Sequence, residues 1–309
     1  MLPGVQLSLY VFSLVCLFLA GRRVSQWQRA TKGTTAETAR RWALAAIYAC
    51  CVVRVIQLTG FYSLWISAAD YAATVLLLTP LIAMLGARNP GARAWPWFVI
   101  LPLIVVLQWP SLSQLASGGV TAIEIPTPTA LGFLFVLVMG AGNYFGTANT
   151  LPMLLGAAAV VVRFLPQTEW TDWHGSVAAG VSSGLLLGCV TLVRLPAATT
   201  PQDFETSQDA AAMLWLRYRD LFGIVWAKRV MDRVNQLLRR ESLPMEITLD
   251  GIHIHSQNGP PTDAQLNRAI ELYCWVLRRF ADNEFLSQYF PAKLLPNESS
   301  RQNSGTSNP

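Results

Sequence analysis

Seven apolar stretches dominate the first two thirds of the chain, near residues 3–20, 42–61, 66–87, 95–115, 127–145, 149–165 and 175–195. A helix needs about 20 consecutive apolar residues to cross a hydrocarbon core. Backbone entering that core must satisfy its own N–H and C=O groups, and long unalternating apolar runs do this as helices. Charge divides the chain in the same place. Residues 1–199 hold 11 Lys and Arg and 5 Asp and Glu, whereas residues 200–309 hold 12 and 13. The pattern predicts an all-α polytopic membrane bundle of about seven transmembrane helices over 1–199. A small α/β cytoplasmic domain over 200–290 and a disordered tail over 291–309 should follow.

The first apolar run has no Lys or Arg before it and is followed by Arg22 and Arg23, the reverse of a secretory signal, so it reads as a true span. Short loops rich in Lys and Arg stay on the cytoplasmic side. The first loop carries Arg22, Arg23, Arg29, Lys32, Arg40 and Arg41, the third carries Arg88 and Arg93, and Arg194 leaves the last span. The alternate loops carry acids or nothing. An outside N-terminus and an inside C-terminus in a cytoplasmic-type (plasma or inner) membrane follow. Trp27, Trp42, Trp65, Trp95, Trp97, Trp109, Trp170 and Trp173 fall at predicted span ends, as interfacial rings should. The fifth and sixth spans are short around a Gly-rich break at 140–152, where a tight helical hairpin or a re-entrant pair would both fit.

In the last third, apolar residues at spacings of three and four from Leu214 to Leu238 predict one amphipathic helix over about 208–240, with a basic opposite face. That helix suits a lipid surface or a partner, or else packs on its own domain. Ile247, Leu249, Ile252 and Ile254 alternate across Asp250-Gly251, predicting a hairpin. Thr262 should cap a second helix.

Chemistry is sparse. No CxxC, P-loop or HExxH occurs, and the five cysteines form no loop pair. No cofactor, metal or nucleic acid is expected. An ionisable group within a span needs a partner, and Arg54 and Asp70 reach similar depths on adjacent antiparallel spans, so they should pair, with Gln57 nearby. Their pairing either fixes packing or marks a substrate or proton site. Asn143 and Asn149 flank the Gly-rich break, which is where interrupted spans of transporters place their sites. Glu124, Arg163, Glu169, Asp172 and His174 gather on the outer side as solvated loop or a cation site. His253 and His255 lie two apart on a strand and read as solvent-facing. Gly180, Gly184 and Gly188 recur every four residues, a smooth face for close helix packing within the bundle or in a homo-oligomer. The lipid bilayer is the implied partner, with a protein partner through 200–290. The balance favours a non-enzymatic membrane scaffold or assembly component with a cytoplasmic docking domain. A small transporter or channel using Arg54 and Asp70 comes second, and an intramembrane enzyme third.

Overall fold

A computed structural model describes residues 3–60, 63–87, 95–118, 122–171, 173–195, 204, 206–254, 262–291 and 295. Two compact units emerge: one from Met1–Thr31, Ala36–Ala87 and Arg93–Leu195, the other from Lys32–Thr35, Arg88–Ala92 and Pro196–Pro309. The expected disordered tail lies almost wholly outside the described residues.

The first unit is an all-α bundle of α1 (Pro3–Gln26), α2 (Gln28–Thr31), α3 (Ala36–Leu58), α4 (Leu64–Leu76), α5 (Thr79–Leu85), α6 (Trp95–Ser117), α7 (Thr127–Gly142), α8 (Thr150–Phe164) and α9 (Gly175–Leu192). With α4 and α5 taken together, six helices among the described residues are long and apolar enough to cross a membrane. The expected fifth span is the shorter α7, whose 16 residues rise about 24 Å against a hydrocarbon core of about 30 Å. Large apolar side chains such as Phe18, Val52, Phe98, Val106, Phe135 and Val138 stand exposed on the bundle's outside. Such a surface suits lipid and not water.

The expected third span is two helices. Pro80, in the first turn of α5, has no N–H for the Leu76 carbonyl, and its ring crowds that oxygen. The Thr79 hydroxyl donates to Leu76 O instead, at 2.7 Å. Close approach elsewhere depends on glycine. A Cβ at Gly140 would lie 2.7 Å from Leu81 Cβ, where α7 crosses α5.

In the second unit, α10 (Ser207–Phe222) and α11 (Ile224–Arg240) are followed by β1 (Met245–Ile247), β2 (Ile252–Ile254), α12 (Asp263–Leu277) and α13 (Asn283–Leu286). The single helix expected over 208–240 is broken at Gly223, whose φ of 80° and ψ of 175° end α10 and open α11. Only glycine adopts that conformation freely. The apolar period runs through the break in sequence, which is why the two helices read as one. The hairpin forms with Ile247 opposite Ile252. Its turn centres on Leu249-Asp250, one residue earlier than expected, because Thr248 N–H donates to Gly251 O. Thr262 caps α12 through a reciprocal capping box with Gln265.

The core of this unit is aromatic. Phe280 lies within 5.2–5.4 Å of the rings of Tyr218, Phe222 and Trp226, and Trp215 stacks on Tyr218 at 6.0 Å. On α11, Trp226, Ala227, Val230, Val234 and Leu238 are buried. The packing alternative therefore holds for its apolar face, and insertion of that face into lipid is ruled out. Arg217 is buried over the Tyr289 ring, and desolvation pulls its pKa down to about 10. The Arg268 guanidinium grips both oxygens of Glu241 at 2.8 and 2.9 Å and holds that carboxyl below its usual range.

Gly140→Ala should lower the stability of the bundle by about 1–3 kcal/mol, because Leu81 Cβ cannot yield as a side-chain tip could. Gly132→Ala, on the same helix with nothing within 4 Å of its added Cβ, should leave it unchanged. Thermal unfolding of the two variants in detergent checks the contrast.

Candidate functional site

Helical periodicity places each polar residue of the bundle beside a helper. On α3, Cys50, Val53, Arg54 and Gln57 share the buried face, and Arg54 Nη1 donates to Gln57 Oε1. On α4, Thr74 lies one turn after Asp70 and donates its hydroxyl to Asp70 O at 2.8 Å. A 3₁₀ turn, Leu165–Gln167, prolongs α8, so Gln167 follows Arg163 by one turn.

Three helices bring these groups to one point. Arg54 Nη2 donates to Asp70 Oδ1 at 2.9 Å, and Arg163 Nη2 donates to the same oxygen. Arg163 Nε reaches Thr74 Oγ1 at 3.1 Å, and Gln167 Nε2 reaches it at 3.4 Å. The Arg54 guanidinium also sits 5.7 Å from the Tyr10 ring on α1. The two arginine side chains are 1% and 2% exposed, against 19% for Asp70. Arginine keeps its charge in proteins, so at that depth both guanidinium groups depend on one carboxylate as their principal counter-charge. Asp70 is thus the joint of α3, α4 and α8. Its Oδ2 has no hydrogen bond among the described residues, and Arg54 Nε and Gln167 Oε1 are buried without partners.

The expected pairing of Arg54 with Asp70 is present, and Gln57 joins it. Arg163, expected in the outer-side cluster, belongs to this triad instead. The sequence signal was depth: counted from Gln167, Arg163 lies four residues inside its helix, as Arg54 does from Leu58. Thr74 and Gln167 escaped notice because a hydroxyl and an amide carry no charge to flag them.

The rest of the outer cluster does not assemble. Glu169 Oε1 accepts from Thr127 Oγ1 at 2.8 Å. The backbone of exposed Glu124 is bracketed by the Gln114 amide, with Glu124 N donating to Oε1 at 3.0 Å and Nε2 donating to Glu124 O at 2.5 Å. His174 is exposed at the start of α9, and Asp172 lies outside the described residues. No three His, Cys, Asp or Glu side chains gather for a metal among the described residues. His253 contacts Thr248 Oγ1 at 3.2 Å, and His255 is outside the described residues.

The Gly-rich break forms a compact turn between α7 and α8. Thr147 and Thr150 hydroxyls donate to Tyr144 O at 2.7 and 2.9 Å, Gly146 takes φ 80°, and Asn143 and Asn149 are buried. Asn149 Oδ1 accepts from Arg194 N at 2.9 Å, tying the turn to the exit of α9. The glycine row of α9 is filled from within the chain. A Cβ at Gly180 would lie 3.2 Å from Leu9, one at Gly184 3.8 Å from Phe12, and one at Gly188 3.8 Å from Leu155. Beside it, Ser13 and Ser183 hydroxyls bond at 2.6 Å between α1 and α9.

Compared with family models, with curated proteins and with solved structures, the chain matches none.

Asp70→Ala should cost about 3–5 kcal/mol, because two buried guanidinium groups lose their carboxylate. Replacing Arg54, Asp70 and Arg163 together by Leu should cost far less or stabilise the bundle, since no charge then remains to be compensated. Detergent melting of the single and triple variants decides between these outcomes.

Proposed function

We propose that the chain is a non-enzymatic scaffold or assembly component of a cytoplasmic-type membrane, with seven spans, an outside N-terminus and an inside C-terminal unit that docks a protein partner. The closed triad carries this reading. Arg54 and Arg163 meet on Asp70, Gln57 accepts from Arg54 Nη1, Thr74 accepts from Arg163 Nε, and Asn149 accepts from the Arg194 backbone. The bundle's strongest polar groups are engaged in holding helices to one another.

Parity supports the seventh span. Lys32–Thr35, which joins α2 to α3, belongs to the same compact unit as the chain after Pro196. Thr35 N donates to Phe280 O at 2.9 Å, Asp282 N donates to Gly33 O at 2.8 Å, and Lys32 pairs with Glu284 at 2.7 Å. These contacts favour one side for the first loop and the C-terminal unit, which calls for an even number of crossings between them. Long helices supply five crossings in that interval, and α7 supplies the sixth. A span this short is accommodated by local thinning of the bilayer. The six basic residues in and beside the first loop support a cytoplasmic placement of that side.

A transporter or channel reading has one observation in its favour: Asp70 Oδ2 has no hydrogen bond among the described residues, on a side chain 19% exposed. The triple Leu variant separates the two readings. Loss of a cellular phenotype with normal expression and folding would favour transport, and its retention favours the scaffold.

Reporter fusions test the topology. A cytoplasm-active reporter should be active after Gly146 and after Pro309 and inactive after Ser117; inactivity after Gly146 would remove the seventh span. The scaffold reading further expects one defined protein to co-purify with the full chain in mild detergent. It should be lost on charge reversal in the open groove of about 570 Å³ between α11 and β1, whose charged lining residues are Lys228, Asp232, Arg239 and Glu246. Repeated purification of the chain alone would count against a docking role.

A further inference from the structure

The basic face of α11 remains after its apolar face has been accounted for. The helix carries Lys228, Arg229, Arg233, Arg239 and Arg240 against Asp232 alone. Two of the five bases are neutralised, Lys228 by Asp232 at 2.5 Å and Arg239 by Glu246 at 2.9 Å. Arg229, Arg233 and Arg240 are exposed and have no carboxylate partner among the described residues. Their spacings of four and seven bring all three within about 40° of one another on the helix, along a stripe of about 16 Å. Two of them are supported by neighbours. The Arg229 guanidinium lies 4.9 Å from the Trp226 ring, and Arg233 Nη1 donates to Gln236 Oε1 at 2.7 Å.

Elsewhere in the unit four acids are engaged with bases of their own: Glu241 and Glu271 with Arg268, Glu284 with Lys32, and Asp220 with Arg219. Three bases without a carboxylate partner are thus gathered on one stripe, although the chain from residue 200 onward carries one more acid than base.

We propose that Arg229, Arg233 and Arg240 dock on anionic lipid headgroups. The proposal rests on the reading above that this unit lies on the positively flanked side of the membrane, where the leaflet is anionic. With Trp226, Val230, Val234 and Leu238 buried in the unit's own core, the helix makes no insertion, and the contact is electrostatic and confined to headgroups. Each such charge contributes little, but a unit covalently joined to spans is held at high effective concentration near the bilayer, so a weak, multivalent contact suffices. The aromatic that accompanies the stripe, Trp226, is 7% exposed and has no free face on which a nucleic-acid base could stack.

The test uses the full chain in nanodiscs of phosphatidylcholine alone and of phosphatidylcholine mixed equally with phosphatidylglycerol. Gln236→Cys places a reporter thiol in the stripe, and a water-soluble maleimide reads its exposure. Cys274, which is buried, should stay unreactive in every variant and so certifies the fold. Labelling should be about tenfold slower in the anionic discs. The neutral rate should return at about 0.5 M NaCl, where the Debye length falls to about 4 Å. Adding Arg229→Gln, Arg233→Gln and Arg240→Gln should abolish the difference between the lipids.

Equal rates in the two lipids would overturn the proposal. Salt-insensitive protection in both lipids would also overturn it, by showing that protein covers the stripe. Stronger protection by an added RNA oligonucleotide in neutral discs than by anionic lipid would transfer the stripe to nucleic acid. Both leaflets of a disc carry the same lipid, so the result is independent of orientation, which the reporter fusions test separately.

Discussion

One carboxylate between two guanidinium groups is the constraint on which the bundle depends. A charged side chain in hydrocarbon is costly unless it is paired, and removing one partner leaves the others uncompensated. Asp70 on α4 is held by Arg54 on α3 and Arg163 on α8, so three helices share one electrostatic joint and none can rotate or slide without breaking it. Apolar packing against lipid supplies no comparable preference, because lipid tails are as apolar as the side chains they would replace. The triad therefore sets register as well as holding the helices together.

Close approach provides the second kind of order. The Ser13–Ser183 hydrogen bond and the glycines of α9 let α1 lie against that helix, while Gly140 admits Leu81 where α5 meets α7. Polar stitches close the helix ends: the Asn149 amide binds the exit of α9, the Gln114 amide brackets Glu124, and Ile125 N donates to Gln167 O at 2.8 Å. A bundle whose buried polar groups bond mainly one another is organised for persistence of shape. That is the physical content of the scaffold reading.

The second unit obeys the rules of water. Its aromatic core around Phe280 takes up the apolar face of α11, and most of its acids are matched to nearby bases. What the fold leaves over is an arginine stripe and an open groove beside it. The first loop's Gly33 takes φ 77°, and an added Cβ there would lie 2.5 Å from Asp282 Oδ1. That intolerance shows how closely the segment between the first two spans is built into this unit.

Six of the span positions, the charge boundary near residue 200, the α12 cap at Thr262 and the partnership of Arg54 with Asp70 were all legible in the sequence. Each depends on local composition or on a depth that can be counted along the chain. Pro80 and Gly223 were visible as residues, yet their breaks were not, because the apolar period runs through both and only the surrounding packing selects the bent form. Arg163, close to the expected end of its span, was grouped with the outer cluster until the 3₁₀ turn after α8 placed it a full turn deeper, and Thr74 and Gln167 carried no charge to mark them. Sequence by itself determined that an apolar helical part precedes a charged one and that charges within apolar spans need partners. Which partners they found was decided by tertiary structure alone, because convergence of side chains from α3, α4 and α8 is a property of how helices pack, and no spacing along a single helix encodes it.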